Sequence, residues 1–342
     1  MSASPSRVSG RWTLEDVAAR AGVSRATASR VVNGGTRVAA ATRAAVEQAV
    51  DELGYAPNRA ARSLAGQSTD TVALVVSEPS TRMFADPFFA GTIRGIASGL
   101  RASRYQLVLL MTQNDADRHR VERHLLRGNA DGVLLLSVRA DDPIPPGLVE
   151  AGIPCVLAGR PQQGLQVGFV DADNEGGAYQ AVRHLLQRGC RTVATVAGPA
   201  DMAPGTHRLA GWHRAMAEAD GPTASSLVAR GDFTAPSGRA ATVTLLERHP
   251  EVDGIFAASD LMAVGVLDAL RQAGRRIPED VAVVGFDDSE LAPSSVPPLT
   301  TVRQPLDEMG RTMAELLVAL LDGDADVEGV VLQTQLVVRE SA

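Results

Sequence analysis

The hydrophobic and polar positions of this chain follow two different patterns, one before residue 55 and one after residue 70. In residues 13–33, TLEDVAARAGVSRATASRVVN, apolar residues recur at helical spacing, first around Val17 and again around Val31. The same spacing returns in residues 41–53. The pattern predicts three short helices, of which the first two are separated by a tight turn at Gly22.

The ends of the first two helices carry residues that favour helix caps. Thr13 can accept a hydrogen bond from the first turn while Asp16 reaches back to it, which makes a capping box. Gly22 suits the left-handed residue that ends a helix, and Ser24 can cap the next one. Two short helices set against each other in this way are typical of a helix-turn-helix, which places one helix in the major groove of DNA.

From residue 71 the pattern changes to short apolar runs that alternate with helical stretches. The predicted strands are TVALVV, YQLVLLM, GVLLL, PCVLA, VGFV, TVATV, residues 226–229, GIFAAS, VAVVGF, LTTV and VVLQTQLVV. The predicted helices lie near residues 88–103, 117–127, 176–188, 208–219, 237–248, 260–273 and 306–321. Apolar strands between helices indicate parallel sheets covered on both faces. Two such series in succession predict a ligand cleft between two α/β lobes.

Charge is distributed unevenly along the chain. The formal net charge of the 342 residues is −7, yet residues 1–66 hold nine Arg against five acidic residues, so this segment is +4 and the remainder −11. A basic first segment on an acidic body suits binding to the phosphate backbone at one end. All 33 basic residues are Arg, which we interpret as a compositional bias, so arginine content by itself is weak evidence for phosphate binding.

The remaining composition favours a cytoplasmic protein without a metal site. Cys155 and Cys190 lack the spacing of a zinc site, which is expected of a reduced, cytosolic protein. The first residues, MSASPSRVSGR, lack the apolar run of a secretory signal, and no run of about 18 apolar residues is long enough to span a bilayer.

Six segments of the chain carry a resemblance to a known family. They are DVAARAGVSRATASRVVN, YAPNRAARSLAG, ASDLMAVGVLDAL with VAVVGFDD, and PPLTTVRQP, together with residues 159–176. In these segments the chain resembles the LacI family of bacterial transcriptional regulators over roughly residues 12–340. The body is also similar to periplasmic sugar-binding proteins.

The resemblance implies an α/β protein with an N-terminal three-helix HTH headpiece, a hinge helix, and then a two-lobed domain of doubly wound parallel sheets. The expected domains are a disordered lead-in at 1–11, the headpiece at 12–56, the hinge helix and linker at 57–70, and an effector-binding and dimerisation domain at 71–340. Lobe 1 is expected at about 71–169 and 304–329, and lobe 2 at about 170–300 and 330–340.

For DNA, the resemblance implies base contacts by Arg25, Ala26 and Arg30. Polar residues that could hold phosphates or cap helices are Thr13, Ser24, Thr27, Ser29 and Asn33. Residues 58–65 match a hinge helix that pairs with its dimer mate in the minor groove, with Asn58 and Arg59 near DNA. Leu64 matches the apolar wedge of that helix, although a buried Leu beneath the headpiece is the alternative.

For an effector, the resemblance implies a sugar bound by loops at the strand ends. Carboxylates and guanidinium groups can bond neighbouring hydroxyls while an aromatic ring covers the apolar sugar face. Of Phe88 and Phe89, one is expected in the core, and Asp260 is either a ligand residue or only a helix cap. The candidate effector-binding residues are Asp86, Phe88, Arg160, Arg208, Phe233, Ser259, Asp260 and Asp287.

The function that the resemblance implies is a homodimeric repressor of carbohydrate-utilisation genes, released from a near-palindromic DNA operator by a sugar, for example a cello-oligosaccharide or another plant-derived oligosaccharide. No further heptad helix follows the last strand, which favours a dimer over a tetramer. No cofactor is expected. The alternatives are a co-repressor such as a purine on the same fold, or a cytoplasmic sugar-binding protein without a regulatory role. Transport and enzymatic roles are disfavoured, since a signal sequence and catalytic motifs are missing from the sequence.

Overall fold

The computed structural model describes residues 12–32, 38–53, 55, 68–221, 223–323 and 328–342. The chain divides into two compact units, one up to Thr69 and the other from Asp70 to Ala342. The predicted lead-in at 1–11 and the predicted hinge helix at 58–65 lie outside the described residues.

The first unit contains three helices, as predicted. They are α1 Leu14–Ala21, α2 Arg25–Val32 and α3 Ala40–Leu53. Their shared core is formed by small and β-branched residues, so the helices can pack closely. The buried core residues are Val17, Ala18, Ala28, Val31, Val46 and Ala49.

The caps of the first unit confirm the prediction from sequence. Thr13 Oγ1 accepts the Asp16 N–H at 3.3 Å, and the Thr13 N–H donates to Asp16 Oδ2 at 2.8 Å, which completes the capping box. Gly22 has φ +64°, the left-handed conformation that ends α1. Ser24 Oγ accepts the Thr27 N–H at 3.1 Å and so caps α2.

The second unit is built on two sheets. Its strands, numbered in chain order, are β1 Thr71–Val76, β2 Gln106–Met111, β3 Gly132–Leu136, β4 Cys155–Ala158, β5 Gly168–Ala172, β6 Val193–Ala197, β7 Val228–Arg230, β8 Gly254–Ala257, β9 Ala282–Asp287, β10 Thr300–Arg303, β11 Val330–Leu332 and β12 Gln335–Val337. Across the described strands, the sheet of lobe 1 has the order β11-β5-β4-β3-β1-β2 and that of lobe 2 the order β12-β10-β9-β8-β6-β7. All pairs are parallel except β10 with β12.

Helices cover these sheets. They are α4 Ser80–Ala85, α5 Pro87–Leu100, α6 Asp115–Leu126, α7 Ile144–Glu150, α8 Asn174–Gln187, α9 Ala203–Glu218, α10 Ala235–Arg248, α11 Asp260–Gln272, α12 Leu291–Ser294 and α13 Leu306–Asp322. The apolar pattern did not predict the short helices α4, α7 and α12. It also placed the start of α9 near Arg208, but Pro204 occupies the first turn, where proline is tolerated, and Arg208 therefore lies one turn inside the helix.

The chain crosses between the lobes after β5, after β10 and after β11. The strand pairs place Gly168–Ala172 and Val330–Leu332 in lobe 1 and Thr300–Arg303 in lobe 2, so the observed crossings lie within a few residues of the approximate boundaries predicted from sequence. The run VVLQTQLVV was predicted as one strand, whereas it forms β11 in one sheet and β12 in the other. This arrangement brings the carboxyl ends of parallel strands from both lobes to one cleft.

Candidate DNA-binding face and effector cleft

Helix α2 separates buried from exposed side chains as a recognition helix requires. Ala28 and Val31 are buried against the other two helices. Arg25, Ala26 and Arg30 are exposed, and Thr27 and Ser29 are half-buried. The positions expected to touch base edges therefore share the open side of α2.

Ion pairing and capping already use several of these groups. Arg25 Nε lies 2.6 Å from Glu15 Oε1 of α1, with both side chains more than half exposed. Ser24 Oγ and Thr27 Oγ1 are 2.9 Å apart, and Thr13 Oγ1 donates to Asp16 Oδ2 at 2.7 Å. Thr13 and Ser24 thus serve as helix caps in the unit itself. The other expected DNA-binding residues, Asn33, Asn58, Arg59 and Leu64, lie outside the described residues.

The cleft between the two lobes holds a cavity of about 310 Å³. This volume is at the lower end of the range usual for small-molecule sites. Residues of both lobes form its wall. Of the predicted effector residues, the lining contains Asp86, Phe88, Arg160, Arg208, Phe233, Ser259 and Asp287.

Arg208 is the buried cation of this cavity. Its Nε donates to Asn174 Oδ1 at 2.8 Å, and its Nη1 donates to the Ala258 carbonyl at 2.6 Å and lies 3.4 Å from Asp287 Oδ1. The guanidinium carbon lies 3.7 Å from the centroid of the Phe286 ring. Burial lowers the pKa of Arg208, but the ordinary value for arginine is so high that the group stays charged. These contacts hold the guanidinium plane in one orientation.

Asp287 ends β9 and faces the same guanidinium. Its backbone has φ +125°, a conformation that non-glycine residues rarely adopt, and its Oδ1 accepts a hydrogen bond from Gln304 Nε2 at 2.6 Å. Burial raises the pKa of Asp287 to about 7, although Arg208 opposes this change. Strain and desolvation are both tolerated at this position, which is typical of a functional site.

Asp260 does not line the cavity in the described structure, in contrast to the prediction. Its Oδ1 accepts a hydrogen bond from Thr301 Oγ1 at 2.5 Å, and its Oδ2 accepts the Ser289 N–H at 2.7 Å. The cap of α11 is Ser259, whose Oγ accepts the Met262 N–H at 3.2 Å. Asp260 is therefore neither a ligand-facing residue nor the cap; it lies beneath Asp287 and fixes the loop that follows β9.

Two aromatic residues and a carboxylate complete the walls predicted from sequence. Asp86 Oδ1 accepts the Phe88 N–H at 3.0 Å and caps α5. Burial raises the pKa of Asp86. Phe88 faces the cavity while Phe89 is in the core, so one of the pair is buried as expected. Phe233 has φ +66° and its ring packs on Gly198, where a Cβ would lie 2.4 Å from the ring.

Sequence reasoning missed several residues that the structure places at the cavity. Arg82, in the unpredicted α4, pairs with Glu78 and lies with its guanidinium carbon 5.1 Å from the Phe233 ring centroid. Asn174 and Gln304 hold Arg208 and Asp287 respectively. A usable signal existed for the last two, because each follows a strand at its carboxyl end. Further missed lining residues are Asp171, Arg139 and Asp201.

Among the described residues, no group of His, Cys, Asp or Glu could hold a metal ion. No helix in the part of the chain that the structure describes is long and apolar enough to cross a membrane.

Comparison with known proteins identifies both units. Residues 13–58 match the model of bacterial regulatory proteins of the lacI family, and residues 182–342 match that of a periplasmic binding protein-like domain. The HTH-type transcriptional regulator CelR of Thermobifida fusca is 50% identical over 97% of this chain and 98% of its own length. The ribose operon repressor of Halalkalibacterium halodurans is 34% identical over 96% of both chains.

Solved structures agree in fold. A complex of the transcriptional regulator CelR with cellobiose superposes with a TM-score of 0.78 at 49% identity, over 97% of this chain and 100% of that one. The lac repressor dimer bound to operator and the anti-inducer ONPF superposes with a TM-score of 0.81 at 30% identity, over 97% and 99%. The chain therefore belongs to the lacI family of bacterial regulatory proteins, and it is a DNA-binding transcriptional regulator rather than an enzyme.

Proposed function

We propose that this chain is a repressor of carbohydrate-utilisation genes that leaves its operator when a sugar fills the cleft between its lobes. The similarity to CelR, whose solved structure is a cellobiose complex, supports a cello-oligosaccharide or another plant-derived oligosaccharide as effector.

The observation that carries this proposal is the buried trio of Arg208, Asp287 and Phe233 on one cavity. A guanidinium and a carboxylate 3.4 Å apart can bind two neighbouring hydroxyl groups, one as donor and one as acceptor. Phe233 offers an aromatic face to the apolar side of a sugar ring. A neutral, polyhydroxylated ring satisfies all three groups, with Asp86, Phe88, Arg160 and Ser259 as further wall residues.

In the regulatory step, the sugar changes the populations of two arrangements of the lobes, one open and one closed. A sugar held by Arg208 and Asp287 of lobe 2 and by Arg160 of lobe 1 stabilises the closed cleft. The change in DNA affinity is limited by the difference between the sugar's affinities for the closed and the open arrangement. Closing moves the two halves of the dimer to a geometry in which the hinge segments no longer pair, so the operator is released.

On DNA, the base edges are contacted by Arg25, Ala26 and Arg30. The phosphates are contacted by polar residues of the same unit, which are Thr13, Ser24, Thr27, Ser29 and Asn33. Asn58, Arg59 and Leu64 belong to the hinge segment in the minor groove. A homodimer of this kind reads a near-palindromic operator, because its own symmetry is mirrored in the two half-sites. The similar lac repressor was solved as a dimer on its operator. Such a protein acts in the cytoplasm, where the chromosome is.

A purine co-repressor is less supported. A relative named the HTH-type transcriptional repressor PurR matches at 34% identity, below the 50% of CelR. A sugar-binding protein without a regulatory role does not account for the helix-turn-helix unit.

The test titrates cellobiose, other plant oligosaccharides and a purine base against the complex of the protein with its operator. We expect an oligosaccharide to release DNA from the wild-type chain. Arg208→Lys keeps the charge but cannot hold Asn174, Ala258 and Asp287 at once, so it should bind operator normally and need much more sugar for release. Tighter DNA binding with a purine, or no effect of any sugar, would contradict the proposal.

A further inference from the structure

Asp171 lines the cavity and has a buried carboxylate oxygen for which the described structure provides no hydrogen-bond donor. It is the penultimate residue of β5 in lobe 1 and is 3% exposed. Its Oδ1 accepts from Asn174 Nδ2 at 2.9 Å. Its Oδ2 is buried and lacks a hydrogen-bond partner among the described atoms. An unsatisfied buried acceptor costs about 1–3 kcal/mol, so its persistence at a cavity wall requires an explanation.

Two basic side chains flank this oxygen without satisfying it. Arg160 Nε lies 3.4 Å from Asp171 Oδ2, and the Arg160 side chain is 51% exposed. His207 Nδ1 lies 4.0 Å away. Burial raises the pKa of Asp171, while His207 and Arg160 oppose that change. Both basic groups therefore lie near an oxygen in the cavity wall, but neither donates a hydrogen bond to it.

A donor from the cavity side would complete the arrangement. A carboxylate oxygen only accepts hydrogen bonds, and the hydroxyl of a sugar is a donor of suitable size. Arg160 can donate to a neighbouring hydroxyl of the same ligand, since half of its side chain remains exposed. We propose that Asp171, with Arg160 beside it, forms a second hydroxyl-binding corner of the effector cleft and determines which sugars the protein accepts.

This corner is joined to the Arg208 corner through one amide. Asn174 donates to Asp171 Oδ1 at 2.9 Å and accepts from Arg208 Nε at 2.8 Å, so a single side chain orients both charged groups. Asp171 belongs to lobe 1, whereas Asn174 and His207 belong to lobe 2. A sugar hydroxyl that donates to Asp171 therefore stabilises this carboxylate in its position against Asn174 of the other lobe. Binding of the hydroxyl thereby favours the closed arrangement of the lobes. The inference rests on the proposed sugar response.

The test compares Asp171→Asn with the wild-type chain by calorimetric titration with cellobiose and by sugar-induced release from operator DNA. Asparagine keeps the shape and the bond from Asn174, but it replaces the accepting oxygen with an N–H donor. We expect sugar affinity to fall by about 10- to 100-fold, as for loss of a hydrogen bond to a charged group. Operator affinity without sugar should be unchanged, because Asp171 is far from the helix-turn-helix in the chain and lies in the other compact unit.

Asp173→Asn is the matched control. Asp173 lies two residues away, accepts the Gly176 N–H at 2.9 Å as the cap of α8, and is not part of the cavity lining. Asn caps helices as well as Asp does, so this variant should respond to sugar like the wild type.

Monodeoxy analogues of cellobiose locate the contact. We expect one analogue to bind the wild-type chain much more weakly than cellobiose does, and Asp171→Asn to distinguish the two sugars poorly. Equal sugar affinity of Asp171→Asn and the wild type would overturn the inference and leave the proposed function standing. Failure of the wild type to respond to any sugar would overturn the proposed function, and this inference with it.

Discussion

Arg139 and Asp201 form an ion pair that joins the two lobes at the wall of the cavity. Arg139 Nη1 lies 2.5 Å from Asp201 Oδ2, and the Ala140 N–H donates to the Asp201 carbonyl at 2.7 Å. Arg139 follows β3 of lobe 1, and Asp201 precedes α9 of lobe 2. All three residues line the cavity, so the pair connects the lobes directly beside the proposed sugar site.

Loss of this ion pair should weaken the sugar response without abolishing it. The Arg139 and Asp201 side chains are 32% and 45% exposed, so solvent screens the pair and its contribution is at most about 1 kcal/mol. We expect Arg139→Gln to raise the sugar concentration for half-release of operator by about two- to fivefold. The exchanged double variant, Arg139→Asp with Asp201→Arg, should recover part of the loss. If the single variant needs no more sugar than the wild type, the pair does not bias closure.

Stability of the second unit should rise as the pH falls from 8 to 5.5. Burial raises the pKa of Asp287 to about 7, above its ordinary value of 3.8, and Asp86 and Asp260 around it add to the negative charge. The folded chain therefore takes up a proton that the unfolded chain does not. Stability from this group is present at low pH and is lost as the pH rises through about 7.

Protonation of Asp287 should raise the free energy of unfolding by on the order of 2 kcal/mol between pH 8 and pH 5.5. Urea unfolding followed through the fluorescence of Trp212, which is fully buried in lobe 2, measures it at both pH values. The side chain of Asp287→Asn cannot titrate, so the increase in its free energy of unfolding from pH 8 to pH 5.5 should be smaller by about this amount. Asp141→Asn, on an exposed loop, is the control and should show the same increase as the wild type. An unchanged pH dependence in Asp287→Asn would mean that the carboxyl ionises normally in the folded protein.

Local signals allowed much of the fold to be predicted from sequence. The capping box at Thr13, the turn at Gly22 and the apolar strands each depend on residues close together in the chain, and the structure has them as expected. The family resemblance led to Arg208, expected at the start of a helix, and to Asp287, expected at the end of a strand. The contact of Arg208 with Asn174 spans 34 residues and that of Asp287 with Gln304 spans 17 residues, so neither could be seen in any periodicity.

Predictions failed where two distant segments decide the outcome. Asp260 follows a strand and begins a helix, so its position in sequence fits a ligand residue or a cap, but packing against Thr301 turns its carboxylate away from the cavity. The run VVLQTQLVV is continuous in its pattern, and it is divided only because each half pairs with a different sheet. Asp171 lies near the carboxyl end of a strand, but that position alone did not single it out, because its surroundings include Asn174 and His207 from the other lobe.

Base reading by Arg25 should be separable from general DNA affinity. Arginine can hold a guanine edge with two hydrogen bonds, worth about 1–3 kcal/mol of discrimination. On release from Glu15, the exposed guanidinium of Arg25 is free to do so. We expect Arg25→Ala to relax preference at one base pair in each half-site, measured by binding to a set of operators with single substitutions.

Arg20→Ala is the control for that experiment. Arg20 is also an exposed arginine in an ion pair, with Glu52, but it lies on α1 rather than on the open side of α2. Its loss should leave base preference intact. A loss of affinity in Arg25→Ala that is uniform over all operator sequences would assign Arg25 to the phosphate backbone instead.

A second copy of the chain should cover the apolar groove beside α10 and α11. Val243 and Val296 are 44% and 72% exposed at its rim. Exposed apolar side chains of this kind mark interaction surfaces, and the similar lac repressor is a dimer. Val243→Asp places a charge at the groove, so we expect dimer dissociation at micromolar concentration in analytical ultracentrifugation, together with weaker operator binding. Leu126→Asp, at a position 46% exposed on α6, should leave the dimer intact. Operator binding should weaken because the two headpieces of a dimer bind one operator together. If the Val243→Asp protein remains dimeric, the contact between the two copies lies on another face.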